Sequence, residues 1–155
     1  MEIEYSLIKA EVVELLNQNK KWVLATAANN RVTARTMSIV NDGLKIYFQT
    51  DQDFIKFQQI RVNPNVALCF SNVQLEGMAT IQGHPFNPAN EWFIHEYQKH
   101  HPSAFKRYAH LQSEVVIEVI PNFITLWKYI DSLPCRDFLW VSEHRARREY
   151  INLNN

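Results

Sequence analysis

The segment KIYFQTDQDFIKFQQI, Lys45 to Ile60, contains the change of period around which the rest of the chain is organised. An apolar-rich run ends at Thr50, and Asp51 and Asp53 follow. Phe54, Phe57 and Ile60 then recur every third residue, which predicts a helix through FIKFQQIRV. That helix stops at NPN, because proline disfavours helical geometry in the residue before it. Strand, turn and helix thus succeed one another, with a single lysine, Lys56, near the helix start. Two readings of the turn stay open: an aspartate caps the helix, or Lys56 and the helix end receive an anion.

Upstream, Tyr5, Ile8, Val12 and Leu15 or Leu16 recur at helical spacing, a helix with one buried stripe that ends in NQNKK. WVLATA reads as a strand closed by ANN, whose asparagines tolerate positive φ. RVTARTMSIV alternates as a second strand, and NDG at Asn41 to Gly43 predicts a hairpin into LKIYFQT. The three strands are expected to form an antiparallel meander. Downstream, VALCF predicts a central strand and QLEGMATIQG another, where Gly77 marks either a barrel corner or the close approach of a ligand.

From Asn87 to His110 the texture changes: Trp92, Phe93, Tyr97, Phe105 and Tyr108 fall on two short helices broken at Pro102, an insertion too short to hold its own core. EVVIEVIP and ITLWKY return to strand character, expected to split at Pro121, and from about residue 143 the tail is read as a short helix or as extended chain. Helices interrupt these strands without regular βαβα alternation. The expectation is one mainly β domain over residues 1–155, a closed or half-closed antiparallel barrel with peripheral helices.

The apolar fraction of 46% with 21% charged residues is a globular composition. Sixteen basic and sixteen acidic side chains cancel, leaving no large positive field for a nucleic-acid backbone, so no nucleic-acid partner is expected. No window reaches the roughly 18 consecutive apolar residues of a membrane helix, and the acidic, amphipathic N-terminus is unlike a signal peptide. A cytoplasmic protein with no membrane association is the expectation. Cys69 and Cys135 lack metal-type spacing and are expected to be reduced thiols.

Six histidines, His84, His95, His100, His101, His110 and His144, offer neither HExxH nor a completing carboxylate, and are read as surface or helix-end residues rather than metal ligands. No GxSxG, GxGxxG or P-loop occurs, and three glycines cannot build a glycine-rich phosphate cradle. Any phosphate must therefore be held by side chains and a helix end. Arg35 on the second strand, Thr50 ending the third and Lys56 on the next helix are the candidates. Pairing of those two strands would bring Arg35 and Thr50 within reach, and an arginine fork, a hydroxyl and an ammonium suit a phosphate monoester.

The ordered set WVLATA, ARTMSIV, IYFQTDQDFIKF, NPNVALCF, EGMA and ITLWKY, running from about Trp22 to Phe138, resembles the flavin-binding split barrels related to pyridoxamine 5′-phosphate oxidase. The resemblance implies a six-stranded antiparallel split β-barrel that forms a homodimer, with flavin mononucleotide (FMN) at the interface. Arg35 and Lys56 would clasp the flavin phosphate with Thr50 assisting, and the backbone of Thr36, Met37 and Ser38 would lie along the isoalloxazine edge. Trp127 and Arg136 would approach the flavin, and Asn72 or Gln74 of the second protomer would reach the ring. Family members that oxidise pyridoxamine 5′-phosphate carry a lysine where this chain has Val40, and a serine–arginine pair where it has Phe54 and Ile55. They also carry a histidine downstream of the tryptophan, which KYIDSLPCRDF lacks. Vitamin B6 oxidation is therefore not expected.

The leading functional expectation is an FMN-dependent oxidoreductase acting on a small molecule. The alternatives are a haem-binding barrel with His84 or His144 as axial ligand, and a dimeric binding module without enzymatic activity.

Overall fold

The computed structural model describes residues 1–154. In chain order these form β1 (Glu2–Ile3), α1 (Tyr5–Gln18), β2 (Lys21–Ala28), β3 (Arg31–Ser38), β4 (Val40–Asp42), β5 (Lys45–Asp51), α2 (Ile55–Val62), β6 (Asn65–Phe70) and β7 (Val73–Ile81). A single 3-10 turn (Pro88–Asn90) then leads to α3 (Glu91–His100), α4 (Pro102–Tyr108), β8 (Glu114–Ile130), β9 (Leu133–Trp140) and β10 (Arg145–Tyr150).

Local chemistry sets the turns. Asn29 and Asn30 both take positive φ, 51° and 63°, in the two-residue link that pairs Ala28 with Arg31; this geometry matches the twist of the flanking strands. Gly43, at φ 59°, does the same between β4 and β5. The strands assemble in the order β1-β10-β9-β8-β7-β6-β2-β3, with β5 paired to β8 and β4. The fold is thus mainly β, an antiparallel split barrel with peripheral helices, and its sheet does not close. Ten strands take part rather than six. The 17-residue β8 joins the two halves: one edge carries β7 from Ile117 to Leu126, and the other carries β5 on its first part and β9 on its second. Trp22, Phe48, Leu75, Ile117 and Leu126 fill the interior, covered by Ile8, Val12 and Leu16 of α1. Each such side chain contributes about 1.5–3 kcal/mol on burial.

Three expectations are corrected. The meander is interrupted at Ile39, so β3 pairs only with β2 and does not meet β5. Ile39 is fully buried; its N–H donates to the Lys20 carbonyl (2.8 Å), and its carbonyl accepts from His101 Nε2 (2.8 Å), which turns the chain away from β2 before β4 begins. Pro121 does not split its strand. It lies opposite Gly77 at a register shift, where a Cβ on Gly77 would stand 2.7 Å from the Ile120 carbonyl oxygen. The missing N–H of proline is tolerated at such a bulge, and Gly77 packs against the β8 backbone there. VALCF is the central strand β6, between β7 and β2, with Leu68 covered and Cys69 exposed. Phe54 is not part of the helical stripe: it precedes α2 and is 53% exposed, while Phe57 and Ile60 are buried.

The tail adopts the extended alternative, as β10 pairs with both β9 and β1. The reason lies at Asp137, which is fully buried on β9. It accepts from Arg148 Nε (2.6 Å) and Nη2 (2.8 Å) and meets Lys128 Nζ at 2.9 Å, tying β10, β9 and β8 together. Burial alone would push this carboxyl up, but its donors outweigh that and hold it below the usual range. Phe93 and Tyr97 of α3 pack on Val40 and Val116, a second small cluster that seats the insertion over the β4–β5 side of the sheet. No helix among the described residues is long and apolar enough to cross a membrane.

Candidate functional site

β5 delivers Gln49, Thr50 and Asp51 in sequence to one end of the barrel, and the turn that follows starts α2. Neither aspartate caps that helix. Asp51 Oδ1 accepts from the Asp53 backbone N–H (2.8 Å) and Oδ2 accepts from Ser113 Oγ (2.7 Å), so its carboxylate holds the turn and lies below its usual range, chiefly through the Asp53 N–H. Phe54 occupies the N-cap position with no side-chain cap, leaving the first N–H groups of α2 without a side-chain acceptor. The ammonium of Lys56, in the first turn, lies 4.7 Å from the centre of the Phe54 ring.

A cavity of about 370 Å³ opens here. Met37, Phe54, Tyr97, Tyr108 and Leu111 form its apolar walls, and Gln49, Thr50, Asp51, Lys56 and Glu114 its polar lining. Met37 comes from β3, Glu114 from the start of β8, and the two tyrosines from α3 and α4, so with β5 and α2 six elements converge. Glu114 is 5% exposed; burial, then the charge of Asp51, pushes its carboxyl up to about 7 against the pull of Lys56. Tyr97 is pushed up to about 12, mainly by burial and then by Glu114. Lys56 is lowered by burial first and by the Arg35 charge second, while Glu114 and Asp51 work the other way. Gln49 is 6% exposed, and its buried Oε1 has no hydrogen-bond partner among the described residues.

Arg35 does not line this cavity. Its Nη1 donates to Thr26 Oγ1 (2.8 Å) and the Leu24 carbonyl (3.3 Å), and Nη2 donates to Thr33 Oγ1. Both threonines also donate to Gln59 Oε1 of α2, at 2.5 and 2.6 Å. Arg35 therefore approaches Lys56 through the packing of α2 on β2 and β3, not through pairing of β3 with β5. Thr36, Met37 and Ser38 lie on the edge of β3 opposite its partner β2, so their outer main-chain groups carry no strand partner.

Asn72, Trp127 and Arg136 lie elsewhere. With Gln74, Cys69 and Phe138 they line a separate cavity of about 590 Å³ on the β6–β9 face. Asn72 Nδ2 donates to the Trp127 carbonyl (2.7 Å), and the Arg136 guanidinium stands 5.9 Å from the Trp127 ring. The sequence-predicted residues thus form two groups with no shared cavity in one chain. The two histidines considered as haem ligands, His84 and His144, are engaged structurally. His84 Nδ1 accepts from the Phe86 N–H (3.1 Å) and Nε2 donates to the Leu111 carbonyl (2.9 Å), while His144 sits in a turn at φ 49° against Tyr5. His101, expected at a surface helix end, is instead 8% exposed, because Ile39 needs its donor. No group of three or more histidine, cysteine or acidic side chains among the described residues is placed to hold a metal.

Sequence reading missed Gln49, Glu114 and Tyr108 as cavity residues. The only signal was an acidic residue opening a largely apolar strand, EVVIEV. The arrangement suits a phosphate at the mouth: the ammonium of Lys56, the Thr50 hydroxyl and uncapped helix N–H groups are donors. The mutual repulsion of Arg35 and Lys56 is what an anion beside them would relieve. Glu114 and Asp51 oppose an anion deeper in.

The profile of a protein family described as pyridoxamine 5′-phosphate oxidase matches residues 8–128. General stress protein 26 of Bacillus subtilis is 37% identical over 59 residues, which span 38% of this chain and 42% of that protein, less than half of its length. The solved structure of a pyridoxamine 5′-phosphate oxidase-related, FMN-binding protein from Nostoc punctiforme superposes with a TM-score of 0.63 at 15% identity, covering 95% of this chain and 94% of that one. HutZ, the heme storage protein from Vibrio cholerae, superposes with a TM-score of 0.63 at 14% identity, covering 72% and 88%. At these identities the structural likenesses establish the fold. With the profile covering most of its length, the chain belongs to the pyridoxamine 5′-phosphate oxidase family.

Proposed function

We propose that this member of the pyridoxamine 5′-phosphate oxidase family is an FMN-binding flavoprotein, a cytoplasmic homodimer that acts as an oxidoreductase on a small-molecule substrate. The observation that carries the reading is Lys56 lining one cavity with Thr50 at a helix start that has no side-chain cap, its ammonium lowered by burial and then by the charge of Arg35. In this reading Lys56 and the first turn of α2 hold the flavin phosphate, Thr50 adds a hydroxyl, and Arg35, steadied by Thr26 and Thr33, supplies long-range charge. The unpaired edge of β3 at Thr36, Met37 and Ser38 offers main-chain groups to the ring. Bound FMN supplies the electron transfer; the chain supplies binding, orientation and electrostatics.

The division of the site residues between two cavities supports a composite site. A second copy would bring its Asn72, Trp127 and Arg136 to the β3 edge of the first. Trp127, Tyr129 and Leu133 are 40, 68 and 54% exposed, an apolar surface suited to such a contact. Vitamin B6 oxidation is not part of the proposal: Val40 is 1% exposed in the core, and Phe54 stands where a donor pair would strengthen the phosphate grip. The haem alternative is weaker at His84, because both of its ring nitrogens are already hydrogen-bonded. The test is an absorbance spectrum and mass of what purified protein releases on denaturation. Flavin bands and FMN are expected; a colourless protein that ignores added FMN would overturn the proposal.

A further inference from the structure

We propose that Gln59 is a positioning residue: from the buried side of α2 it clamps the Arg35 guanidinium through two threonine hydroxyls, fixing Arg35 relative to Lys56 without neutralising its charge. Gln59 is 5% exposed, buried together with Phe57 and Ile60 of the same helix. A buried amide is tolerated when both of its ends are paired. Its Nε2 donates to the Arg31 carbonyl (3.1 Å), an oxygen that can only accept, so Oε1 is the end turned to the threonines. That oxygen accepts from Thr26 Oγ1 (2.5 Å) and from Thr33 Oγ1 (2.6 Å). Each hydroxyl has one proton, so both protons are committed to Gln59 and the oxygen lone pairs are left to Arg35. Arg35 fills them, Nη1 donating to Thr26 Oγ1 (2.8 Å) and Nη2 to Thr33 Oγ1, with the Leu24 carbonyl as a further acceptor at 3.3 Å. A guanidinium only donates and an amide oxygen only accepts, so the direction of every bond from Arg35 through the hydroxyls to Gln59 is determined.

A carboxylate is the common partner of a partly buried arginine, and it would orient Arg35 as well as these hydroxyls do while cancelling its charge. Here every acceptor is neutral. Burial lowers the Arg35 guanidinium with no carboxylate drawing it back, and its charge is felt at Lys56. Gln59 follows Lys56 by three residues on α2, so one helical turn joins the amide to the ammonium. Thr26 belongs to β2, and Thr33 and Arg35 to β3. Gln59 thus keys the helix that carries one cation to the strands that carry the other, and a phosphate meets both charges already in place. FMN as the ligand rests on the flavin reading; the clamp on Arg35 does not.

The experiment has two readouts on the full chain. Heteronuclear NMR follows the Arg35 guanidinium, its signals identified by their loss in Arg35→Ala. Fluorescence titration compares FMN with riboflavin, which lacks only the phosphate. Wild type should show separate Arg35 Nη signals, because bonds on both nitrogens hinder rotation, and Gln59→Met, which keeps the length of the side chain, should merge them. The same variant should lower the affinity for FMN relative to riboflavin severalfold, by no more than Arg35→Ala does, and should lower it no further when combined with Arg35→Ala. Thr33→Val should act in the same way, and it serves as the second variant should Gln59→Met fold poorly, as read by far-UV circular dichroism. A residue that merely docks α2 would weaken both flavins alike and add to Arg35→Ala. Either of those results, merged Nη signals in wild type, or unaltered signals in both variants would overturn the inference. A wild type that binds neither flavin would overturn the flavin reading instead, and the Nη signals would then decide the clamp by themselves.

Discussion

Glu114→Gln should stabilise the protein, and only above acid pH. The carboxyl ordinarily titrates near 4.5 and is pushed up to about 7 in the fold, because burial and Asp51 disfavour its charge more than Lys56 favours it. A folded-state value above the unfolded one means that the folded protein binds more protons between those limits, so stability is fully present below about 4.5 and declines as pH rises toward 7. The full shift corresponds to about 3 kcal/mol at most. Glu114 opens onto a cavity that admits water, which reduces the expected effect to about 1–2 kcal/mol. Glutamine keeps the shape and never ionises. Urea denaturation of both proteins at about pH 5 and about pH 8 is the assay, and the difference between variants removes every other titrating group. The stability difference should be near zero at the lower pH and about 1–2 kcal/mol in favour of the variant at the higher. A difference that stays constant with pH, or favours wild type more as pH rises, would refute the reasoning.

Lys56→Ala should weaken FMN binding by roughly ten- to a hundredfold, the worth of one charge-assisted phosphate contact, and Arg35→Ala should weaken it less because Arg35 stands outside the cavity; fluorescence quenching of added FMN measures both. Gly77→Ala should destabilise by about 1–3 kcal/mol in chemical denaturation, since its Cβ would meet the Ile120 carbonyl oxygen at 2.7 Å; an unchanged midpoint would mean that β8 yields there. Asp137→Ala should lower stability by about 3–5 kcal/mol by leaving the Arg148 guanidinium without its carboxylate and Lys128 with Glu11 alone. The wild-type contribution of Asp137 should be present above its ordinary value of 3.8 and lost as pH falls through its depressed folded value, read from acid titration of near-UV circular dichroism. Trp127→Glu should leave the folded protomer intact, because the side chain is 40% exposed, yet shift sedimentation from dimer to monomer; an unchanged dimer would place the interface elsewhere.

Local sequence carried much of the architecture. The α1 stripe of Ile8, Val12 and Leu16, the Asn29–Asn30 turn, Gly43 in its hairpin and the two insertion helices separated at Pro102 are all set by side-chain periodicity and by residues that tolerate or forbid particular φ values. These properties act over a few residues, so they can be read without knowing the fold. The order of such elements, together with the motif set from Trp22 to Phe138, was enough for a mainly antiparallel split barrel and for the family.

Pairing between distant strands was not legible, and the site depends on it. Ile39 ends β3 because its backbone groups are claimed by Lys20 and by His101, 62 residues away, and no local pattern records that demand. Pro121 reads as a breaker until Gly77 stands opposite it. Likewise Glu114 looks like a strand's polar first residue, and becomes a buried acid beside Lys56 only when β8 pairs with β5 and α3 and α4 close over them. The opening segment shows the division most clearly. Its own residues determined a strand, a turn and a helix that starts with one lysine. Tertiary structure decided that Asp51 turns to Ser113 instead of capping α2, and that Lys56 faces a buried carboxyl as well as Arg35, since burial and charge pairing are properties of the assembled packing rather than of neighbours in the chain.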